Sequence, residues 1–395
     1  MDMDDAQDLL DVPNSFDGIP FSSYPLVITF RKFLIMVDRT VGDSFLVRFL
    51  KQWKLSCGKP RDPLSTAAYN FIESKEVTVK KFASSYWSYF DGCLTNNLDA
   101  VMVFNEIISQ IKGGLGAKET PDGRLSKLDY TRLAKGRSTL SWKQRERIYD
   151  IFLDYERMKN EKGEYDLADL VIDLHHRLKC SQYTGDQMDY VYVDEVQALT
   201  MMEIALLKYL CGNVSSGFVF SSNTAQTIAK GIDFRFHDIR FLFYKEFISR
   251  VKTDEKDIGA GLLKIPDILH MNQNCHTQPK ILQLASSVTD LLFRFFPHCI
   301  DILCPETSEM SSGNFETPVL LENGKGQNMM TLLFGGTGNI PADTREFGAK
   351  QVILVRDEHA RDGISNLVRN QAIVLTIMEC QSLEFQVSIS SYFEF

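Results

Sequence analysis

Five short runs of the chain are apolar at nearly every position: Tyr24 to Phe30, Tyr190 to Val193, Gly217 to Phe220, Gln351 to Val355 and Ala372 to Ile377. Continuous apolar runs of this length predict strands covered on both faces, as in parallel sheets. Between them the period changes. From Trp142 to Asn160, the residues Ile148, Ile151, Phe152 and Tyr155 fall at i, i+3, i+4 and i+7, which predicts a helix, and a second helical pattern runs from Ala198 to Cys211. Strands alternating with helices predict an open α/β sheet. In such sheets ligands bind beyond the carboxyl ends of the strands, so the residues just after each strand are the candidates for chemistry.

The stretch from Val77 to Leu140 reads as a helical insertion, with helical patterning over Phe104 to Lys112 and turn signals at Gly113-Gly114 and Pro121-Asp122-Gly123. Its end is basic: Arg124, Lys127, Arg132, Lys135, Arg137, Lys143, Arg145 and Arg147 stand against only Asp129 and Glu146. Such a run is either a solvated helix face or a nucleic-acid contact. A second irregular zone, Cys304 to Gly348, contains Ser311-Ser312-Gly313 and Gly335-Gly336-Thr337-Gly338 and reads as a linker or loop region. No internal repeat is visible.

Composition narrows the class. At about 150 residues per domain, 395 residues predict two or three domains, and 44% hydrophobic with 24% charged residues is an ordinary folded composition that excludes bulk disorder. The 43 basic and 52 acidic side chains give a net charge of -9, so a polyanion would have to meet a local basic patch. The eight cysteines form no CxxC pair, and Cys299, Cys304 and His298 lack two further ligands at zinc spacing, so reduced thiols are expected. The acidic first eighteen residues are unlike a secretory leader. Arg31 and Lys32 interrupt the longest apolar run, so no membrane span is expected. These features predict a soluble intracellular protein.

The strongest chemical signal is Tyr190-Val-Tyr-Val-Asp-Glu-Val-Gln197. An apolar strand ending in Asp-Glu puts two carboxylates at the sheet lip, where Asp194 can hold Mg²⁺ and Glu195 can polarise a water for attack on a γ-phosphate. The same pair also occurs as a plain helix start. After the next strand, Gln226 in Ser221-Ser-Asn-Thr-Ala-Gln226 reads either as a γ-phosphate sensor or as an ordinary loop glutamine.

Asp194-Glu-Val-Gln197, Thr224-Ala-Gln-Thr-Ile-Ala-Lys-Gly-Ile-Asp-Phe-Arg-Phe236 and Leu282-Gln-Leu-Ala-Ser-Ser-Val288 resemble the UvrD/Rep-type superfamily 1 helicases, and more closely their plant branch of TPR-and-ankyrin-repeat-containing helicase-like proteins. Glu164-Tyr-Asp-Leu-Ala-Asp-Leu170 is similar to the segment preceding the family's Asp-Glu strand. The resemblance implies an α/β P-loop NTPase (RecA-like) fold with incomplete parallel sheets and an α-helical insertion. It divides the chain into part of a first RecA-like domain (1–76), the insertion (77–147), the rest of that domain (148–260) and a partial second domain (261–395). It implies ATP and Mg²⁺ as cofactors: Asp194 for the metal, Glu195 as general base, Gln226 as sensor, and Gln197 and His276 among the nucleotide contacts. It places Thr29, Phe30, Arg132, Lys135 and Arg137 near single-stranded DNA, and favours the nucleus over the cytoplasm.

The departures are concentrated at strand-end loops. No G-x-x-x-x-G-K-[ST] phosphate loop is present; Gly113-Gly-Leu-Gly-Ala-Lys-Glu-Thr120 has the wrong spacing and follows a helical pattern. His276 stands where the family carries an arginine, and a mostly neutral imidazole cannot replace a permanent forked cation. Ser222-Asn223 replaces Gly-Asp, Gln381 and Ser382 replace Lys and Gly, Ala198 replaces Asp, and Arg31 replaces His. The expectation is therefore a fragment or degenerate member of ATP-dependent DNA helicases with impaired hydrolysis. The alternative is a non-catalytic scaffold binding nucleic acid or protein, and an unrelated α/β protein is the third reading.

Overall fold

The computed structural model describes residues 12–54, 65–133, 140–213, 216–223, 236–248, 267–275, 277–296, 306–309, 318, 351–356, 358–368, 373–377, 379–380, 383 and 387–391. The chain divides into two units, Met1–Glu316 and Thr317–Phe395.

Polar caps fix where the first helices begin. The Thr29 hydroxyl accepts the Lys32 N–H at 3.2 Å and starts α1 (Phe30–Thr40), whose Phe30, Phe33, Leu34 and Val37 follow helical spacing into the core. The apolar run Tyr24 to Phe30 is accordingly not a strand. Pro25 cannot donate to a ladder, and the side chain of Thr29 satisfies an end of a helix instead. Ser44 caps α2 (Phe45–Gln52), with buried Asp38 accepting the N–H groups of Phe45 and Leu46 at 2.8 and 3.3 Å. There follow α3 (Thr66–Lys75), α4 (Val79–Ser85), α5 (Ala100–Glu106) running on into a π-helical turn (Ile107–Lys112), and α6 (Lys127–Thr131). The helix expected around Trp142 to Asn160 is α7 (Trp142–Glu161), opened by a Ser141/Gln144 capping box, and Asp166 and Asp169 make another for α8 (Leu167–Cys180).

Strands are few and short. β1 (Val191–Val193) pairs in parallel with β2 (Phe218–Phe220), and α9 (Met201–Leu206) lies between them in sequence. Beyond β2 come α10 (Phe236–Leu242) with a π-helical turn (Phe243–Ile248), β3 (Gln273–Asn274), α11 (Pro279–Phe295) and β4 (Thr307–Ser308), which pairs with β3. In the second unit β5 (Gln351–Val355) is the centre of a parallel sheet ordered β6 (Ile373–Thr376), β5, β7 (Val387–Ser391), and α12 (Glu358–Val368) packs Ala360 and Ile364 on Ile353 and Val355.

The described residues are thus predominantly helical, which overturns the expected α/β P-loop NTPase (RecA-like) architecture: the largest described sheet has three strands. The apolar runs at 191–193 and 218–220 do form strands, but Tyr192 and Val219 stay exposed on their outer side. The double coverage that defines a buried parallel sheet is missing there. Among the described residues, no helix is long and apolar enough to cross a membrane.

Helices build the cores. One surrounds Phe82, whose ring centroid lies 4.9 Å from that of Phe104 and 5.3 Å from that of Tyr155, with Ile148 and Phe152. Another joins Phe33, Leu34 and Val37 of α1 to Leu170, Leu174 and Leu178 of α8 and Met202 and Leu206 of α9, with the inner faces of β1 and β2 packed against it.

Between these cores lies a buried charge cluster. Lys112 Nζ donates to Asp166 at 2.7 Å, Asp169 at 2.6 Å and Glu156 at 3.2 Å. Lys159 Nζ donates to the same three carboxylates at 2.8, 2.6 and 2.7 Å. The Tyr155 hydroxyl donates to Asp166 at 3.0 Å. Burial opposes the charge on Asp166, but Lys112 and Lys159 outweigh it and hold its carboxyl well below the usual range. Removing the Asp166 charge takes the most buried carboxylate from both ammonium groups and leaves them Asp169 and Glu156 alone. Asp166→Asn is therefore expected to cost about 1.5–3 kcal/mol of stability in urea unfolding, and a loss under about 1 kcal/mol would show that the cluster is not a structural tie.

A pH dependence follows from His175 on α8. It is buried, with Nε2 2.8 Å from the Met202 carbonyl, and burial followed by the nearby Lys118 charge pulls its pKa down to about 3. The unfolded chain takes up this proton below about pH 6.5 while the folded chain does not, so stability falls as pH drops from there toward 3. In His175→Gln, unfolding free energy measured from pH 7 to 4 should show a shallower slope, by at most about 1.4 kcal/mol per pH unit. An unchanged slope would contradict the burial of a neutral imidazole.

Candidate functional site

The parallel register Val191↔Phe218, Tyr192↔Val219, Val193↔Phe220 carries the chain out of both strands side by side. The ladder then extends past the strands: the Ser221 N–H donates to the Val193 carbonyl at 2.9 Å and the Val196 N–H to the Ser221 carbonyl at 3.0 Å. This sets Asp194 beside Ser221, whose hydroxyl donates to its carboxylate, and Asp194 Oδ1 also accepts the Glu195 N–H at 3.0 Å. The backbone turns sharply at Glu195, which has φ 51° and ψ 39°, a left-handed conformation that a non-glycine residue adopts only under local compulsion. The compulsion is visible. A 3₁₀ turn (Val196–Ala198) follows at once, and the Gln197 amide donates to the Glu195 carboxylate. Gln197 is buried, and among the described residues its Oε1 has no partner.

Asp194, Glu195 and Gln197 therefore meet at one lip, and Ser221 joins them. Their carboxylates are tied to groups of the same lip. Gln226 and His276 lie outside the described residues, as do Lys135 and Arg137. Thr29 and Phe30 do not form a strand-end surface: the Thr29 hydroxyl is the cap of α1, and Phe30 packs on Phe33 with ring centroids 5.2 Å apart. Arg132 is exposed at the end of α6.

Four of the eight cations of the basic segment are engaged within the chain. Lys127 pairs with Asp150 at 2.6 Å and Arg124 with Glu156 at 3.3 Å. Arg145 is buried and donates to the Leu133 carbonyl at 2.6 Å, and Arg147 donates to the Asn96 carbonyl at 2.9 Å. Arg31 pairs with Glu76 at 2.6 Å.

Two charged clusters were not singled out by the sequence. In the first, Glu156, Asp166 and Asp169 bring ligand atoms within 4.8 Å of one another. Lys112 and Lys159 place ammonium groups among them at hydrogen-bonding distance, so the position a metal ion would take is filled by the chain's own cations. The second is Glu246, bonded by both Lys118 and Lys208, the latter at 2.6 Å. Burial works against the Glu246 charge, yet the two lysine hydrogen bonds hold its pKa down at about 2. Burial and the like charge of Lys208 bring Lys118 down to about 7, as expected where two ammonium groups share one carboxylate. Lys118 lies in the glycine-rich stretch Gly113 to Thr120 and ties that stretch to the π-helical turn after α10. The available signal for the first cluster was the Asp-x-x-Asp capping box at 166 and 169; a long-range lysine partner leaves no local pattern.

No protein-family model matches the chain, and no solved structure matches it. Over 309 residues it is 33% identical to TPR and ankyrin repeat-containing protein 1 of Homo sapiens, an alignment covering 78% of this chain and 10% of that protein. The chain thus spans about a tenth of the length of the curated relative it matches. The resemblance to UvrD/Rep-type helicases is corrected by these findings. No helicase family model matches, the relative's name includes no helicase, and the sequence has no phosphate loop. The attributes that came with that resemblance, ATP binding and hydrolysis, lose their support with it.

If the left-handed turn at residue 195 is locally strained, glycine there should be tolerated and a β-branched residue should not. Glu195→Gly is expected to change unfolding stability by less than about 1 kcal/mol, whereas Glu195→Val should lose about 1–2 kcal/mol. Equal losses for the two would show that the side-chain contact with Gln197, not the backbone, dominates.

Proposed function

We propose that this chain is a non-catalytic scaffold that binds protein. The observation that carries this reading is the contrast between the two sides of the β1–β2 pair. Its polar lip is engaged internally, while its outer face presents Tyr190, Tyr192 and Val219, with Tyr192 72% exposed. Tyrosines on a strand pair offer large amphipathic contact area at little entropic cost, and a clustered exposed apolar face is typical of protein contacts. Two further facts support it. Arg124, Lys127, Arg145 and Arg147 are held by partners within the chain, which leaves the basic segment with less charge to offer a polyanion. The human relative is named for TPR and ankyrin repeats, and helical repeats of such kinds present extended protein-binding surfaces.

A photo-crosslinking amino acid placed at Tyr192 tests this in cells that express the full chain. Discrete protein adducts are expected, and they should vanish in a Tyr190→Ser/Val219→Ser background that leaves the melting temperature unchanged. Adducts confined to nucleic acid, or protein adducts indifferent to those substitutions, would overturn the reading.

A further inference from the structure

In α11 the apolar residues Ile281, Leu284, Val288, Leu291 and Phe295 are spaced three, four, three and four apart. All five are exposed, from 46% at Ile281 to 67% at Phe295. That spacing is the a/d pattern of a helix that pairs with another helix, and from Ile281 to Phe295 it forms one seam about 21 Å long. The helix meets its own unit through a different side: Leu282 is buried, and Ser286, Thr289 and Phe293 are half-buried. An ordinary amphipathic surface helix turns its apolar stripe inward. Here the stripe faces out.

The charges beside the seam select the partner. With Ile281 and Val288 at a positions and Leu284 and Leu291 at d, the flanking g positions hold Lys280, Ser287 and Arg294, and the e positions hold Ala285 and Leu292. Asp290, the helix's one acidic residue, sits at a c position away from the seam. A second copy is poorly suited to this surface. Two such helices in antiparallel register oppose g to g, bringing Lys280 toward Arg294, and in parallel register their g cations meet only Ala285 and Leu292. Glutamates flanking the partner's own apolar seam complement Lys280 and Arg294 in a way that no copy of this helix does.

We propose that the outer face of α11 is a docking seam for an acidic amphipathic helix of a partner protein. The seam rests on the reading of the chain as a protein-binding scaffold, but lies on a different element from the β1–β2 face. Two heptads give a short interface, so binding is weak and reversible, with Kd on the order of micromolar.

The test is fluorescence anisotropy of a labelled three-heptad helical peptide, leucine at a and d and glutamate at e and g, titrated with the full chain. Binding is expected to weaken at least tenfold in Leu284→Gln/Leu291→Gln, with the far-ultraviolet circular dichroism unchanged. Lys280→Glu/Arg294→Glu, which leaves the apolar seam whole, should weaken it too and gain affinity for the matching peptide with lysine at e and g. Absence of binding, or binding indifferent to both variants, overturns the proposal. So does self-association of the unmodified chain in sedimentation that Leu284→Gln/Leu291→Gln abolishes, which would make a second copy the occupant. A Val288→Cys thiol inert to maleimide would mean that the chain's own residues cover the seam, which also overturns it. Any of these failures leaves the crosslinking result at Tyr192 standing, so the seam and the scaffold reading fail separately.

Discussion

The buried cluster in which Lys112 and Lys159 share Asp166, Asp169 and Glu156 is the constraint that orders the first unit. Its five members belong to three different structural decisions. Asp166 and Asp169 cap α8, Lys159 and Glu156 lie on α7 beside the aromatic core, and Lys112 closes the π-helical turn after α5. Desolvating so many charges is favourable only when every one finds a partner, so the cluster admits one arrangement of the three helices and penalises others. Directly after Lys112, Gly113 runs so close to α9 that a Cβ there would stand 2.8 Å from the Thr200 Cβ, and its carbonyl accepts the Met202 N–H at 3.0 Å. Position is thereby passed from the helical core to the start of α9, the element that follows the β1 lip.

At that lip the chemistry expected of the Asp-Glu pair and the geometry found there point in different directions. A carboxylate pair beyond a strand is a place where a cation or a water can be held, yet Ser221 and Gln197 take up hydrogen-bonding capacity of Asp194 and Glu195 from within the chain. The same holds for Arg124, Lys127, Arg145 and Arg147 of the basic segment, which are bonded within the chain. Among the described residues, two exposed surfaces are apolar: the outer side of β1 and β2, and the seam of α11. Exposed apolar faces at two places are the feature on which the proposal of protein contact rests.

How much of this was legible in the sequence depended on range. The strands at 191–193, 218–220, 351–355 and 373–376 and the long helix from Trp142 followed from local periodicity, and the meeting of Asp194, Glu195 and Gln197 followed from their adjacency after a strand. Tyr24 to Phe30 misled because a capping hydroxyl and a helical repeat starting at Phe30 outcompeted β propensity. The fold class misled because apolar runs report burial but not how many strands share a sheet. The charge cluster was illegible because Lys112 and Asp166 are 54 positions apart, and the outward stripe of α11 because a heptad pattern does not say which way it faces.

The claim that this chain works by protein contact and not by nucleotide chemistry is tested most directly by hydrogen exchange of the purified chain with and without millimolar Mg·ATP. The account predicts that amides from 191 to 198 and from 218 to 223 exchange at the same rate in both conditions. Protection of those two segments by the nucleotide would contradict it.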